Sequence, residues 1–459
     1  MQDKRGREKA ILLLYILLFV IFAVSMVFIQ AIYRRGSDYS NPPDELFRFL
    51  VPKYIYENGK LPTGFEEEVR ISGYGYSYAL YNVLPYIIQA FFMKIAGIFT
   101  KSGDALYYIA RLSNVLNGVI TACLVYAISK RLFFDERLQW LFSFGIMFLP
   151  EHLFVHTYVN TDSMAVLSTA VIIYAWILSM DEGFSYKTDI LLSIGIIICA
   201  LSYYNAYGFI MCSVLFFVSS FIRRKDELGK YDFKEMLKHG FFITGLVLIG
   251  TGWWFVREYF VLSGDILGLK TRYELAVKYA LPEVNPLSKN TYRNRGLSVI
   301  DMLIEDEYIN NVFVSFVAVF ASMKAVGNIW IYRIYKLLYG CAFLGLFIPS
   351  KGNKDKKAQG LKKIIFEICL ILCIISVILV LIIYSYTSDY QSQGRYIIPA
   401  VIPIYYFLTK GIEKYFSLRI INERIKTVAA VFVVTILVVI CAYMIYGVTL
   451  PYALADLKV

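Results

Sequence analysis

Residues 190–222 read ILLSIGIIICALSYYNAYGFIMCSVLFFVSSFI and contain no charged side chain over 33 positions. A membrane-spanning helix needs about 20 residues at a rise of about 1.5 Å each, so this stretch is too long for one crossing and short for two. Basic residues flank it on both sides, at Lys187 and at 223–225. The stretch therefore predicts two tightly packed helices joined by a turn near residues 203–205.

Apolar stretches of similar character recur along the whole chain. Hydrophobic residues make up 58% of the sequence and charged residues 18%, whereas soluble proteins carry about 25% charge. A soluble enzyme or a disordered chain of this composition is excluded, because its apolar surface could not be hidden from water. The sequence predicts one all-α integral membrane domain over residues 1–459, with about eleven spans. Besides the pair in 190–222, these spans cover residues 10–33, 112–129, 138–150, 163–180, 240–256, 337–350, 368–388, 396–409 and 427–455.

Basic residues orient these predicted spans. They gather in short connections, within residues 4–9, 130–137, 223–238, 351–363 and 410–426. Since Lys and Arg concentrate on cytoplasmic loops, we place all five connections in the cytoplasm, with the N-terminus inside and the C-terminus outside. This distribution also accounts for the net charge of +11. No nucleic-acid-binding motif accompanies that charge, so no nucleic-acid partner is expected.

Two further apolar segments, residues 79–99 and 308–323, conflict with this orientation if they cross the membrane. The first span begins inside and ends outside, so an odd number of crossings must separate its end from the inner connection at 130–137. Residues 112–129 already supply one crossing. Pro85 also interrupts the first segment. We therefore expect both segments to be juxtamembrane or re-entrant helices.

Two long segments, at about 34–111 and 259–328, then face outward. Functional residues concentrate on such connecting segments when a rigid scaffold positions them. The seven cysteines lie in apolar stretches without a CxxC pair, so neither a disulfide framework nor a zinc site is expected. No inverted repeat of the transporter kind is present. We therefore look for the site on the outward segments and the adjoining helix ends.

The first outer segment opens with NPPDELFRF at residues 41–49. A Pro-Pro pair rigidifies the start of a helix, and an acidic side chain there complements the helix dipole. Asp44 could therefore simply cap this helix. Alternatively, Asp44 and Glu45 place a carboxylate base at the membrane surface, where partial desolvation favours proton transfer.

The sequence HTYVNTDSM at residues 156–164 lies where a helix re-enters the membrane. Asn160 and Asp162 are candidate site residues, although Asp162 could also be an N-cap. His152 and His156 are four residues apart, but they lack the HExxH arrangement of zinc proteases. We expect hydrogen-bonded histidines at the membrane interface and no bound metal, with a divalent metal as the open alternative.

Three cations mark the outer ends of predicted spans or the second outer segment. Arg257 follows a tryptophan pair in TGWWFVREYF and either extends to the lipid interface or binds a phosphate. Arg395 follows Gly394 in SDYQSQGRYIIPA. Arg293 adds a further cation in the second outer segment.

The order of these motifs resembles the GT-C superfamily of membrane glycosyltransferases. The motifs are PDE at 43–45, Arg111, NxD at 160–162, GWWxxR at 252–257 followed by GD, and QGRYxxP at 393–399. The superfamily includes protein O-mannosyltransferases, the lipid A aminoarabinose transferase and oligosaccharyltransferases. The chain is most similar to bacterial membrane proteins with the GWWxxR and QGRY signatures, and the similarity extends over nearly the whole chain.

This resemblance implies transfer of a sugar from a polyprenyl-phosphate-linked donor to an acceptor hydroxyl on the outer face of the cell membrane, with inversion and without a cofactor. The acceptor would be a glycan or lipid-linked saccharide of the cell surface. Asp44 would be the base, with Glu45 and Asp162 in support. Arg48, Arg257 and Arg395 would bind the donor phosphate, with Asn160 and Arg293 assisting at the acceptor.

The sequence departs from the superfamily at two places. Bacterial relatives often carry a histidine where Arg48 stands, and many members carry a lysine at the hairpin turn where this chain has Tyr203 and Tyr204. These departures imply that a phosphate contact is lost or has moved, to Arg48 for example, or that the donor has a different headgroup. They leave two alternatives open: a transporter or flippase of lipid-linked saccharides, and an inactive partner subunit of a glycan assembly complex.

Overall fold

A computed structural model describes residues 2–33, 42, 44–222, 232–304, 307–321, 323–349, 357–418 and 420–456. These residues form eighteen α-helices, several short 3-10 turns and one two-stranded hairpin. The helices are α1 (Gln2–Tyr33), α2 (Glu45–Asn58), α3 (Leu84–Ala96), α4 (Gly103–Leu132), α5 (Glu136–Met147), α6 (Pro150–Val155), α7 (Asp162–Glu182), α8 (Tyr186–Ala200), α9 (Tyr207–Ile222), α10 (Phe233–Val261), α11 (Leu269–Tyr279), α12 (Val299–Ile304), α13 (Tyr308–Ala318), α14 (Ile329–Gly345), α15 (Lys357–Thr387), α16 (Val401–Phe416), α17 (Glu423–Ala442) and α18 (Leu450–Asp456). The hairpin pairs β1 (Val319–Phe320) with β2 (Ala325–Val326).

A helix occupies each predicted span, but not all of these helices are long. Seven are long and apolar enough to cross a membrane: those at Gly6–Gln30, Gly103–Leu132, Asp162–Glu182, Tyr204–Phe221, Phe233–Val261, Leu361–Thr387 and Glu423–Ala455. The other four, α5, α8, α14 and α16, have 12, 15, 17 and 16 residues. Helices of this length extend about 18–26 Å, less than the hydrocarbon core of about 30 Å. By length and composition, the described residues thus contain seven candidate spans where the sequence predicts eleven.

The turn predicted within the 33-residue apolar stretch is confirmed. Helix α8 ends at Ala200, a 3-10 turn covers Tyr204–Ala206, and α9 begins at Tyr207. The chain reverses there without any charged residue, since the turn is held by hydrogen bonds such as that from Ala206 N to Tyr203 O (3.2 Å).

The two apolar segments set aside by the parity argument form short helices. Helix α3 has 13 residues with Pro85 in its first turn, and it packs between α2 and α4. Helix α13 has 11 residues and continues into the β hairpin. At about 1.5 Å per residue neither reaches across a bilayer, as expected for juxtamembrane or re-entrant helices.

Helix α7 lies at the centre of the bundle. It packs on α4, α8 and the 3-10 turn at Gly394–Ala400, and most of its side chains are buried. Trp176 is fully buried and stacks on Phe216 of α9 at 5.3 Å. A helix that is apolar around its whole circumference is typical of the interior of a membrane bundle.

The predicted basic connections meet at one end of this bundle. Three ion pairs join the helix ends there: Glu8–Lys130, Arg131–Asp181 and Arg137–Glu423. Helix α7 ends at this face and begins, at Asp162, at the opposite one. The connection at 223–231 and residues 351–356 lie outside the described residues. The described basic connections therefore lie together at one end of the bundle, while the assignment of sides stays a prediction.

Reporter fusions after Lys357 and after Val459 are expected to report opposite sides of the membrane. Three helical stretches separate these points: α15, the 3-10 turn at Gly394–Ala400 together with α16, and the run from α17 to α18. The 3-10 turn of 7 residues continues directly into the 16 residues of α16, so the second stretch is longer than α16 alone, and three crossings reverse the side. Paired alkaline phosphatase and fluorescent-protein fusions measure this directly. Signals from the same side at both points would contradict the parity argument.

Candidate functional site

A cavity of about 400 Å³ opens at the end of the bundle opposite the basic connections. Its walls come from the start of α2, the segment around residues 71–81, the α8–α9 turn, the start of α11 and the end of α15. These elements are far apart in sequence, so only the packing of the helices brings their side chains together.

Asp44 lies on the wall of this cavity, at the N-cap position of α2. Its side chain makes no capping hydrogen bond, and its backbone is left-handed with φ of 61°. The carboxylate is 39% exposed and accepts a hydrogen bond from Nη2 of Arg395 at 3.3 Å. The interpretation of Asp44 as a side-chain cap is therefore wrong. Pro43, which precedes it, lies outside the described residues.

Glu45 points away from the cavity into a fully buried ion pair with Arg111. The guanidinium donates from Nε at 2.8 Å and from Nη2 at 2.6 Å to the two carboxylate oxygens. Glu45 also accepts from the backbone N–H of Val159 (2.8 Å), and Arg111 donates to the carbonyl of Val27 (2.9 Å). A carboxylate held this way is not available as a base, so the predicted catalytic support from Glu45 is corrected to an anchoring role.

Arg48 is buried and lines the cavity. It is the residue to which the sequence analysis assigned a moved phosphate contact. Its Nη1 donates to the hydroxyls of Thr161 (3.2 Å) and Tyr86 (3.4 Å), and its guanidinium lies 4.4 Å from the centre of the Tyr78 ring. Its Nε has no hydrogen-bond partner among the described residues. A buried guanidinium N–H without a partner is unfavourable unless a ligand satisfies it.

Arg395 is also buried and, like Arg48, is acted on electrostatically by Asp44 and Asp162, although it is not itself part of the cavity wall. Besides Asp44, it donates to the hydroxyls of Tyr396 (3.0 Å) and Tyr158 (3.4 Å), and its Nε is also buried and unpartnered within the described ranges. The preceding Gly394 explains part of the QGRY motif, because a Cβ there would clash with the backbone of Phe316.

Asp162 is the first residue of α7, and Thr161 holds the N-cap position. Its carboxylate is buried, acts electrostatically on both Arg48 and Arg395, and has one oxygen without a partner in the described part of the chain. Asp162 is thus close enough to act on the two arginines but is not part of the cavity wall. The structure brings together four predicted residues: Asp44, Arg48, Asp162 and Arg395.

Arg257 does not belong to this group. It pairs with Glu258, donates to the carbonyl of Pro62 at 2.7 Å and lies over the ring of Trp254 at 5.3 Å. It is absent from the cavity wall. The predicted donor contact at Arg257 is corrected: the guanidinium fastens the first outer segment to α10.

Asn160 and Arg293 are also placed elsewhere. Asn160 is fully buried, donates to the carbonyls of Val155 and Tyr158 (2.8 Å each) and accepts from the backbone N–H of Ser163 (3.0 Å). It shapes the turn before α7 and is not free to contact an acceptor. Arg293 is exposed and outside the cavity wall, so the predicted assisting roles of both residues are corrected.

The two histidines of this region are buried in the bundle. The rings of His152 and His156 lie 4.9 Å apart, and Nδ1 of His156 is hydrogen-bonded to the hydroxyl of Ser163 at 2.8 Å. Burial raises the pKa of the neighbouring Glu151 to about 8. In the part of the chain that the structure describes, no three His, Cys, Asp or Glu side chains form a group suited to a metal ion.

Tyrosines dominate the cavity wall, which the sequence analysis missed. Nine of them contribute: Tyr74, Tyr76, Tyr78 and Tyr81 from the segment at 71–81, Tyr203, Tyr204 and Tyr207 from the α8–α9 turn and the start of α9, Tyr384 from the end of α15, and Tyr396 from the 3-10 turn at Gly394–Ala400. The alternating YGYSYALY at residues 74–81 was the available signal. Burial raises the pKa of Tyr76 and Tyr78 well above the usual value, so these phenols remain neutral hydrogen-bond donors.

The cavity wall also gives a role to the turn between α8 and α9, where this chain has Tyr203 and Tyr204 instead of the lysine of many superfamily members. Tyr204 stacks on Tyr81 at 6.1 Å and donates to the carbonyl of Leu267 at 2.8 Å. Arg272 of α11 lies over the ring of Tyr81 at 4.9 Å and lines the same cavity. The cation beside the turn thus comes from α11 and was not predicted.

Solved structures with this fold are GT-C membrane proteins. The oligosaccharyltransferase of Archaeoglobus fulgidus in the apo form superposes with a TM-score of 0.51 at 14% identity, over 96% of this chain and 56% of that one. ArnT from Cupriavidus metallidurans bound to undecaprenyl phosphate gives 0.50 at 12% identity, over 97% of this chain and 75% of that one. The chain thus spans about half the length of the archaeal enzyme. At these identities the likeness establishes the fold, and the predicted GT-C architecture is confirmed.

Sequence comparison gives a family. No curated protein sequence matches the chain. A family model described as "Predicted membrane protein (DUF2142)" matches residues 65–404, which is most of the chain and includes every wall of the cavity except the start of α2. The chain therefore belongs to the DUF2142 family of predicted membrane proteins.

Proposed function

We propose that the protein is a GT-C-type glycosyltransferase that moves a sugar from a polyprenyl-phosphate-linked donor to an acceptor hydroxyl. The observation that carries this proposal is Asp44, which lines the cavity and contacts the buried guanidinium of Arg395. The guanidinium groups of Arg395 and of Arg48, which also lines the cavity, each have an Nε–H without a partner among the described residues. A general base and anion-binding groups side by side are what such a transfer requires.

The donor phosphate would bind to Arg395 and Arg48. Guanidinium groups bind phosphate oxygens through two parallel hydrogen bonds. The Arg395–Asp44 contact of 3.3 Å is longer than the 2.7–2.9 Å of a strong charge-assisted bond. An arriving phosphate can therefore take over Arg395 and leave Asp44 free to accept a proton. ArnT of C. metallidurans was solved with undecaprenyl phosphate, which agrees with a lipid phosphate in this fold.

The reaction would be a single displacement. The acceptor oxygen forms a bond to the anomeric carbon, the bond from that carbon to the phosphate oxygen breaks, and the hydroxyl proton passes to Asp44. The polyprenyl phosphate departs with the bonding electron pair, stabilised by the two arginines. One displacement inverts the configuration at the anomeric carbon. Asp162, which acts electrostatically on Arg48 and Arg395, would hold the two cations in position.

We further propose that the cavity faces the outside of the cell membrane and that the reaction modifies or assembles a surface glycan. The basic helix connections gather at the opposite end of the bundle, and basic connections are typical of the cytoplasmic side.

Arg395→Ala is expected to reduce donor use about tenfold or more, because it removes charge-assisted bonds worth about 1.5–3 kcal/mol each. A deletion strain complemented with the wild-type gene should regain the missing sugar in its surface glycan. Complementation with Arg395→Ala should leave that sugar depleted at an equal level of inserted protein.

Arg293→Ala provides the matched control, since Arg293 is exposed and outside the cavity. It should restore the glycan fully. An unchanged glycan in the deletion strain would contradict the proposed function, and full restoration by Arg395→Ala would remove Arg395 from the donor site.

A further inference from the structure

The tyrosines of the cavity form a continuous aromatic surface. Consecutive ring contacts run from Tyr76 to Tyr78 (6.3 Å), from Tyr78 to Tyr81 (5.4 Å) and from Tyr81 to Tyr204 (6.1 Å). Each ring offers an apolar face together with a phenolic hydroxyl at its edge. This combination matches a saccharide, whose rings present apolar C–H faces and hydroxyls at the rim.

A further cation, Arg272, lies at this aromatic surface. The guanidinium of Arg272 is hydrogen-bonded to the hydroxyl of Tyr81 and lies over the rings of Tyr81 (4.9 Å) and Tyr76 (5.9 Å). Within the described residues no carboxylate lies within ion-pair distance of it. Phenols, which stay neutral, are its neighbours.

The two cationic regions of the cavity therefore differ in charge balance. Arg48 and Arg395 have Asp44 and Asp162 close by, whereas the groups that act most strongly on Arg272 are the phenols of four tyrosines, Tyr76, Tyr81, Tyr204 and Tyr384. The other acid of the wall, Asp389, is paired with Lys289 at 2.7 Å. A half-buried guanidinium without a counter-charge attracts an anionic ligand group.

We propose that the tyrosine surface binds the saccharide part of the substrate and that Arg272 pairs with an acidic group on that saccharide, a carboxylate or a phosphate. The inference rests on the proposed function, because it specifies what occupies the cavity during transfer. The acidic group is distinct from the donor phosphate, which belongs to Arg48 and Arg395. A neutral saccharide would leave Arg272 uncompensated.

The test measures equilibrium binding to the full-length protein in lipid nanodiscs, by titration calorimetry, without any donor. Two matched pairs of probes are used: trigalacturonate against its methyl ester, and glucose 6-phosphate against glucose. Each pair differs in the acidic group, so the pairs distinguish a carboxylate from a phosphate. The wild-type protein should bind the acidic member of at least one pair about tenfold or more tightly than its neutral partner, as one charge-assisted pair allows.

Arg272→Gln should abolish this preference, and Arg272→Lys should keep part of it, because the charge remains without the planar fork. Arg70→Gln is the matched control: Arg70 also lies over a tyrosine ring, that of Tyr279 at 4.2 Å, but outside the cavity wall. It should bind both pairs as the wild type does.

Equal affinity for acidic and neutral probes, no binding of any probe, or a preference that survives in Arg272→Gln would each overturn the inference. Because these titrations involve no transfer, they are independent of catalysis. A protein that shows the Arg272-dependent preference but transfers no sugar would uphold this inference and contradict the proposed function.

Discussion

Asp44→Asn is expected to lower sugar transfer about 10²–10⁴-fold, the usual effect of removing a general base. Asparagine keeps the shape of the side chain and tolerates the left-handed backbone at φ of 61°, but it cannot accept the proton of the acceptor hydroxyl. Because Asp44 makes no side-chain capping bond, the exchange removes no cap from α2. The measurement is initial rate of transfer from a polyprenyl-phosphate-linked sugar, with thermal unfolding recorded beside it.

Asp135→Asn is the matched control for this exchange. Asp135 is a true N-cap, accepting from the backbone N–H of Arg137 at 2.9 Å, and lies at the opposite end of the bundle. Since Asn caps as well as Asp, its transfer rate should stay near wild type. If Asp44→Asn also transfers normally, Asp162→Asn becomes the next test. Normal turnover in both variants would exclude both of these carboxylates as the base and favour the transporter alternative.

The fold follows largely from local features of the sequence. The uncharged run at 190–222 and the basic residues beside it predict two helices and their turn, because length and hydropathy act on each segment separately. The predicted count of about eleven spans exceeds the seven helices that are candidate spans by length and composition alone among the described residues. Helices α5, α8, α14 and α16 are apolar but short, and hydropathy alone does not tell a short buried helix from a full crossing.

Only those residues of the candidate site that occur in a recognisable sequence motif were predicted. Asp44 and Arg395 are 351 residues apart in sequence, and the resemblance to GT-C enzymes, not periodicity, placed them together. Arg272 was missed because it occurs in no motif and acquires its position only when α11 packs beside the tyrosine segment. The structure does not bring Arg257 to the cavity. An arginine after paired tryptophans is compatible with a phosphate contact or with a structural contact, and here it contacts the carbonyl of Pro62 and the ring of Trp254.

Glu45 shows why a charged residue beside the predicted base need not share its chemistry. Neighbouring residues at a helix start point in different directions, so Asp44 reaches the cavity while Glu45 reaches Arg111 on α4. That pair joins α2 to α4 and, through Val27 and Val159, to α1 and the turn before α7. The Glu45–Arg111 pair therefore holds the start of α2, and with it the backbone of Asp44, in position.

Glu45→Gln is expected to destabilise the protein by about 3–5 kcal/mol, because it leaves the guanidinium of Arg111 buried without a counter-charge. Both side chains are fully buried, so water cannot replace the lost carboxylate. Chemical unfolding of the detergent-solubilised protein measures the loss. The control is Glu57→Gln, which breaks the exposed Lys53–Glu57 pair with side chains 51% and 54% exposed, and it should change the free energy of unfolding by less than about 1 kcal/mol.

The double variant Glu45→Leu/Arg111→Met separates the loss of the pair from the burial of a lone charge. Removing both charges should recover a large part of the stability that Glu45→Gln loses, since apolar side chains of similar volume often replace a buried ion pair with little penalty. Transfer should nonetheless stay reduced, because the hydrogen bonds that tie α2 to Val27 and Val159 are gone. If Glu45→Gln is as stable as Glu57→Gln, the pair does not anchor α2, and the position of Asp44 must depend on Arg395 instead.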